Sequence, residues 1–60
     1  MSLPSEPNML LSFINLKLRD QYSSLDDMIE DLDLDPVQIQ GQFNNAGIIY
    51  DPENNQLRFK

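Results

Sequence analysis

Three aspartates alternate with leucines in Asp31-Leu32-Asp33-Leu34-Asp35, the spacing with which a calcium-binding EF-hand loop begins. Such a loop also needs Gly at its sixth position and a bidentate Glu at its twelfth; here those places hold Pro36 and Gln42. Leu32 belongs to an apolar stripe as well, so these acids are read as helix caps and surface charge, with no metal site. A second chemistry is suggested by Gln38, Gln42, Asn44 and Asn45, whose side-chain amides suit the edges of adenine. Base contacts specify only after cations have engaged the phosphates. The cations are Lys17, Arg19, Arg58 and Lys60, set against ten acids and a formal net charge of −6. Asp26, Asp27, Glu30, Asp31, Asp33 and Asp35 would lie beside the reader, so nucleic acid is an unfavoured partner.

Catalysis has little to work with. The chain has no Cys and no His, which removes thiolate chemistry, disulfides and the usual zinc sites. No Ser stands in a nucleophile motif and no glycine loop exists for phosphates. Carboxylate pairs such as Asp27 and Asp31 sit one helical turn apart on a surface, and 60 residues can hardly enclose the cleft a catalytic dyad requires. The expectation is a non-enzyme with no catalytic residue, no cofactor and no metal. The start of the chain lacks the pattern of a signal peptide, and no run approaches the ~20 apolar residues of a membrane span. A cytoplasmic protein without membrane association follows as the expectation.

The elements that would carry these residues are legible from spacing. Residues 1–7 hold Pro4 and Pro7 and predict an extended arm. A helix over 8–20 places Leu10, Leu11, Ile14 and Leu18 on one face, and Met9, Phe13 and Leu16 widen it past half the circumference. A surface helix needs a narrower stripe. This one is therefore central, touched from two sides, or partly covered by another chain. Its polar edge is Ser12, Asn15 and Arg19, either bonding locally or forming a contact strip for a partner.

Ser24 opens a second helix over 24–33 with a variant capping box, Ser24 to Asp27, and a stripe of Leu25, Met28, Ile29 and Leu32. Asp35 as N-cap and Pro36 at the first position start a third over 36–46, with Ile39 and Phe43 inward. Gly41 inside that helix is tolerable if another backbone passes close by, and Gly47 suits a left-handed C-terminal cap. Residues 48–60 read as a hairpin around Asp51-Pro52-Glu53-Asn54-Asn55. Ile49 (or Ile48), Leu57 and Phe59 would point inward.

The fold class expected is α+β in one small domain, residues 1–60: a three-helix core whose second and third helices are helix-turn-helix-like, with a C-terminal two-stranded β-hairpin, in winged-helix-like order. A domain this small has a thin core, and with disulfides and metals absent a homodimer is the remaining means of support. The expected function is an acidic, non-catalytic protein-interaction or structural module that self-associates, with a winged-helix nucleic-acid binder as the alternative. Its candidate interaction surface comprises Ser12, Asn15, Lys17, Arg19, Asp26, Asp27, Glu30 and Asp31, and its protein partner is unknown.

Particular steps of the chain resemble a known family. They are Leu3-Pro4, Leu10-Leu11-Ser12, Asn15-x-Lys17-Leu18-Arg19-Asp20, Ser23-Ser24-Leu25-Asp26 and Glu30-Asp31-Leu32-Asp33, together with Tyr50-Asp51 and Asn55-Gln56. They are similar to domain of unknown function 4250, a family of small bacterial proteins, over nearly the whole chain. The resemblance implies a short bacterial protein without assigned activity, and it supplies no catalytic residue.

Overall fold

Pro7 begins the first helix because its fixed φ suits the first helical position and its missing N–H would be unpaired there anyway. In the computed structural model, which describes residues 3–60, α1 spans Pro7–Asp20, one residue earlier than spacing predicted. Of the expected arm, Met1 and Ser2 lie outside the described residues. Glu6 is the N-cap: its carboxylate accepts from the backbone N–H of Asn8 at 3.1 Å and of Met9 at 2.8 Å. Those two bonds, Met9 first, hold the Glu6 carboxyl below its ordinary pKa. Lys17 and Arg19 occupy the last turn, where positive charge complements the helix dipole.

α2 spans Leu25–Asp31. Ser24 Oγ accepts from Asp27 N–H at 3.1 Å, but the Asp27 carboxylate accepts from Ser23 Oγ at 2.6 Å instead of reaching back, so only half of the capping box forms. The helix stops short of Asp33 because that residue is left-handed, at φ 53°. Asp33 N–H then bonds Glu30 O at 3.2 Å and Leu34 N–H bonds Ile29 O at 2.9 Å, the two bonds of a Schellman ending. α3 spans Pro36–Ala46, capped by Asp35, whose Oδ1 accepts from Val37 N–H at 3.0 Å. Gly47 at φ 71° ends it. That backbone admits Gly freely and would strain most other residues.

β1 (Ile48–Asp51) and β2 (Gln56–Phe59) form an antiparallel hairpin with Ile48 opposite Phe59 and Tyr50 opposite Leu57. The loop is held by Asp51, which accepts from Glu53 N–H at 3.1 Å and from Asn54 Nδ2 at 2.8 Å. The Asn54 bond is the chief cause of a lowered Asp51 pKa. Asn55 takes the positive φ its residue type permits, at 53°. Three helices followed by a hairpin make an α+β fold in winged-helix-like order. β2 packs on α1, and β1 packs on α3.

The buried core is Leu10, Ile14 and Leu18 from α1, Met28 from α2, Ile39 and Phe43 from α3, and Ile48 and Leu57 from the hairpin. Leu11, Leu25, Ile29 and Leu32 pack against it partly exposed. Ile48, not Ile49, points inward, because the register puts it on the Leu57 face while Ile49 pairs with Arg58. Phe59 shares the Leu57 face yet is 42% exposed, against expectation. Alternation sets the side from which a residue projects, not whether another element covers it. Gly41 differs too: a Cβ there would meet nothing within 4 Å, so no passing backbone explains it.

Two outcomes follow. Gly41→Ala should raise the unfolding free energy in urea by about 0.5–1 kcal/mol, since Ala restricts the unfolded chain and meets open space in the folded one. The lowered Glu6 pKa means that the unfolded chain binds the proton more readily. Its stabilisation is therefore full above 4.5 and lost as pH falls through the depressed folded value. In thermal melts from pH 7 to pH 3, Glu6→Gln should melt earlier than the parent at pH 7, and the difference should shrink below pH 4.5.

Candidate functional site

The polar edge of α1 is where the fold spends its most specific bonds. Asn15 projects toward the outer edge of β2, and its amide pairs with one residue of that strand. Asn15 Nδ2 donates to Leu57 O at 3.1 Å, and Leu57 N–H donates to Asn15 Oδ1 at 2.6 Å. The side chain thus completes the strand as another strand's backbone would. The sequence reading offers local bonding or a contact strip for Asn15; its bonding partner lies 42 residues away. Leu57 is 3% exposed, so its outer N–H and C=O would otherwise face little water.

A second set of bonds fastens the hairpin loop to the helices. Asn55 Nδ2 donates to Leu18 O at 3.1 Å and to Tyr22 O at 3.0 Å, at the C-terminal end of α1. Asn55 Oδ1 accepts from Tyr50 Oη at 2.7 Å, and Tyr50 Oη accepts from Leu25 N–H at 3.3 Å, at the start of α2. Sequence reasoning assigned Asn55 only to the turn and missed this role. No local spacing could reveal it, because its helix partners are 33 and 37 residues distant.

With Asn15 committed to Leu57, two of the remaining α1 candidates, Ser12 and Arg19, line one shallow groove of about 290 Å³ together with Leu11, Asn15, Leu16 and Gln56. Arg19 grips Asp20 through Nε at 3.0 Å and Nη2 at 3.3 Å. That contact raises the Arg19 pKa and lowers that of Asp20. Lys17 turns the other way, its Nζ 5.3 Å from the centre of the Phe13 ring, a cation–π contact. The α2 candidates Asp26, Asp27, Glu30 and Asp31 are exposed on a different element. Asp31 accepts from Tyr22 Oη at 2.6 Å, and this bond is the chief cause of a raised Tyr22 pKa. The eight candidates therefore divide between α1 and α2.

Beside them lies the apolar part of α1. Met9 is 61% exposed and Leu16 54%, and Phe13 between them is half-buried. Residues seven apart lie two turns along and about 20° around a helix, so Met9 and Leu16 share one line. On α3 the outward face is Pro36, Val37, Gln40, Gly41 and Asn44, around a depression of about 460 Å³. Gln40 Nε2 is bonded to Asn44 Oδ1 at 3.1 Å, and α3 carries no charged residue. The alternating aspartates do not converge on a cation: Asp33 ends α2 and Asp35 caps α3. Among the described residues no group of three or more Asp and Glu is arranged to hold a metal. No helix among those residues is long and apolar enough to cross a membrane.

If the Asn15 amide completes β2, Asn15→Ala should destabilise the fold by about 1–3 kcal/mol in urea titrations, the cost of leaving both Leu57 backbone groups unpaired. Hydrogen exchange at the Leu57 amide should accelerate more than at the cross-strand amides.

No curated protein and no solved structure matches the chain. A family model does, over residues 4–57, described as Domain of unknown function (DUF4250). That stretch contains both the Asn15–Leu57 pairing and the Asn55 network, and the match covers nearly the whole chain: this protein belongs to the DUF4250 family.

Proposed function

We propose that this acidic chain is a non-catalytic, self-associating interaction module of the bacterial cytoplasm, and that it meets its partner through the exposed face of α1. The observation that carries the reading is the line of Met9 and Leu16, more than half exposed on a helix whose opposite side is fully buried. Large apolar side chains left together in water on so small a domain favour a covering surface. Ser12 and Arg19 run along one side of the line, so the face sets a polar edge beside an apolar strip. The bacterial and cytoplasmic parts of the reading rest on the family resemblance and the acidic composition.

The carboxylates used for capping and loop closure suit a non-catalytic role. The winged-helix order alone does not favour nucleic acid. α3 presents Val37, 80% exposed, with amides and no cation, and Arg19 and Lys17 are engaged elsewhere. The acidic side chains of α2 would oppose phosphate.

Immobilised protein and a Met9→Glu/Leu16→Glu variant, both checked for folding by circular dichroism, should be compared as baits in a bacterial lysate. The parent should retain protein that the variant loses. Equal retention by both would move the contact away from α1. In a low-salt gel shift with mixed-sequence duplex, neither should retard DNA; a salt-sensitive shift by the parent would replace this reading with the nucleic-acid one.

A further inference from the structure

Gly41 breaks a local preference without a return inside its own fold. A helix-interior Gly costs about 0.5–1 kcal/mol relative to Ala, and the missing Cβ makes room for no neighbour among the described residues. Gly41 lies inside α3, and its backbone is not left-handed, so no unusual φ requires it either. What the missing side chain shapes is the outside of the helix. At about 100° per residue, Pro36, Val37, Gln40, Gly41 and Asn44 fall within an arc of about 140°. These residues line the depression of about 460 Å³. Val37, one turn before Gly41, stands 80% exposed. Gln40 and Asn44 lie together on one side of Gly41, bonded to each other at 3.1 Å. A raised Val37, a gap at Gly41 and a side wall of Gln40 and Asn44 make a groove that accepts a side-chain ridge of another helix.

The surrounding charges select the kind of helix. α3 carries no charged residue, and the chain has no Lys or Arg between Arg19 and Arg58. Beside Pro36, at the start of α3, Asp33 and Asp35 are exposed. The bond from Asp33 N–H to Glu30 O at 3.2 Å keeps the end of α2, with exposed Glu30 and Asp31, against the same turn. An uncharged depression with these carboxylates at one end is complementary to a helix that carries a large apolar side chain and cations. The α3 helix of a second copy would bring no cation to them.

We propose that the outward face of α3 is a second docking surface, whose occupant is a cationic amphipathic helix of another protein. The partner helix seats one large apolar side chain over Gly41, beside Val37, and sets Lys or Arg against Asp33 and Asp35. This surface shares no residue with the α1 face and does not depend on it. A single helix laid here is small beside a standard interface, which sets the expected affinity in the micromolar range.

The probe is a fluorescein-labelled peptide of Leu and Lys in amphipathic helical spacing, with a counterpart in which Glu replaces Lys. In an amide NMR titration the Lys peptide should shift signals centred on Val37, Gln40, Gly41 and Asn44. Fluorescence anisotropy should show micromolar binding of the Lys peptide and none of the Glu peptide. Gly41→Leu separates shape from charge: it leaves the net charge unchanged, its Cβ meets open space, and Leu favours helix over Gly. Filling the depression in this way should weaken binding at least several-fold. Asp33→Asn and Asp35→Asn keep the left-handed and capping preferences while removing charge, and each should weaken binding as well. Met9→Ser/Leu16→Ser should bind like the parent. Unchanged binding by Gly41→Leu, or shifts confined to the acids of α2, would reduce the contact to attraction between charges and overturn the docking surface. Shifts on α1 that Met9→Ser/Leu16→Ser abolishes would overturn it too. Failure of the Lys peptide to bind would overturn the cationic helix as occupant, and self-association lost in Gly41→Leu would replace it with a second copy.

Discussion

The pairing of one side-chain amide with one strand residue organises this molecule. A two-stranded hairpin is marginal in water, and its outer edges carry backbone groups that must find partners once covered. Asn15 supplies a donor and an acceptor at the spacing of a peptide unit, and Leu57 uses both. This lets β2 lie against a helix without burying unpaired groups there. It also fixes the register of β2 relative to α1, which carries Leu57 into the core beside Leu10, Ile14 and Leu18. Asn55 does the same work just before the start of the strand, tying the loop to the end of α1 and, through Tyr50, to the start of α2. Two asparagines and a tyrosine therefore take the place of the third strand, the disulfide or the metal that small domains commonly use.

The acids have a comparable division of labour. Glu6 and Asp35 cap helices, Asp27 supplies the N–H bonded by Ser24 and accepts from Ser23, Asp51 closes the hairpin loop, and Asp31 holds Tyr22. Each of these carboxylates gains bonds to N–H or O–H groups in its charged form, which is why Glu6 and Asp51 titrate below their ordinary values. The acidic balance thus arises in part from local structural needs. Its consequence for partners is nevertheless global, because a surface so charged discourages phosphate whatever the order of the helices. Charge concentrated on α2 leaves α1 and α3 as the faces a neighbour can approach without strong repulsion. Of these, α1 carries two large apolar side chains in line.

Much of this was legible in the chain itself. The apolar spacing of Leu10, Ile14 and Leu18, the Ser24 and Asp35 caps, Pro36 and Gly47 determined three helices and where two of them begin or end. The turn-rich segment around Pro52 determined a hairpin. These are short-range matters: helical periodicity, capping and turn preference act over a few residues, so the residues carry them in plain order. The excess apolar width of α1 was visible too, and it is the part of the helix that Met9 and Leu16 leave in water. Other features were decided by tertiary structure alone. Asn15 and Asn55 look like any solvent-facing or turn asparagine, because a lone amide does not reveal a partner 33 to 42 residues away. Phe59 shows the same limit from the other side: alternation placed it on the inner face, and only the positions of the neighbouring elements left it exposed. Local preference chooses the pieces, whereas burial and hydrogen bonding between distant pieces depend on how they meet in space.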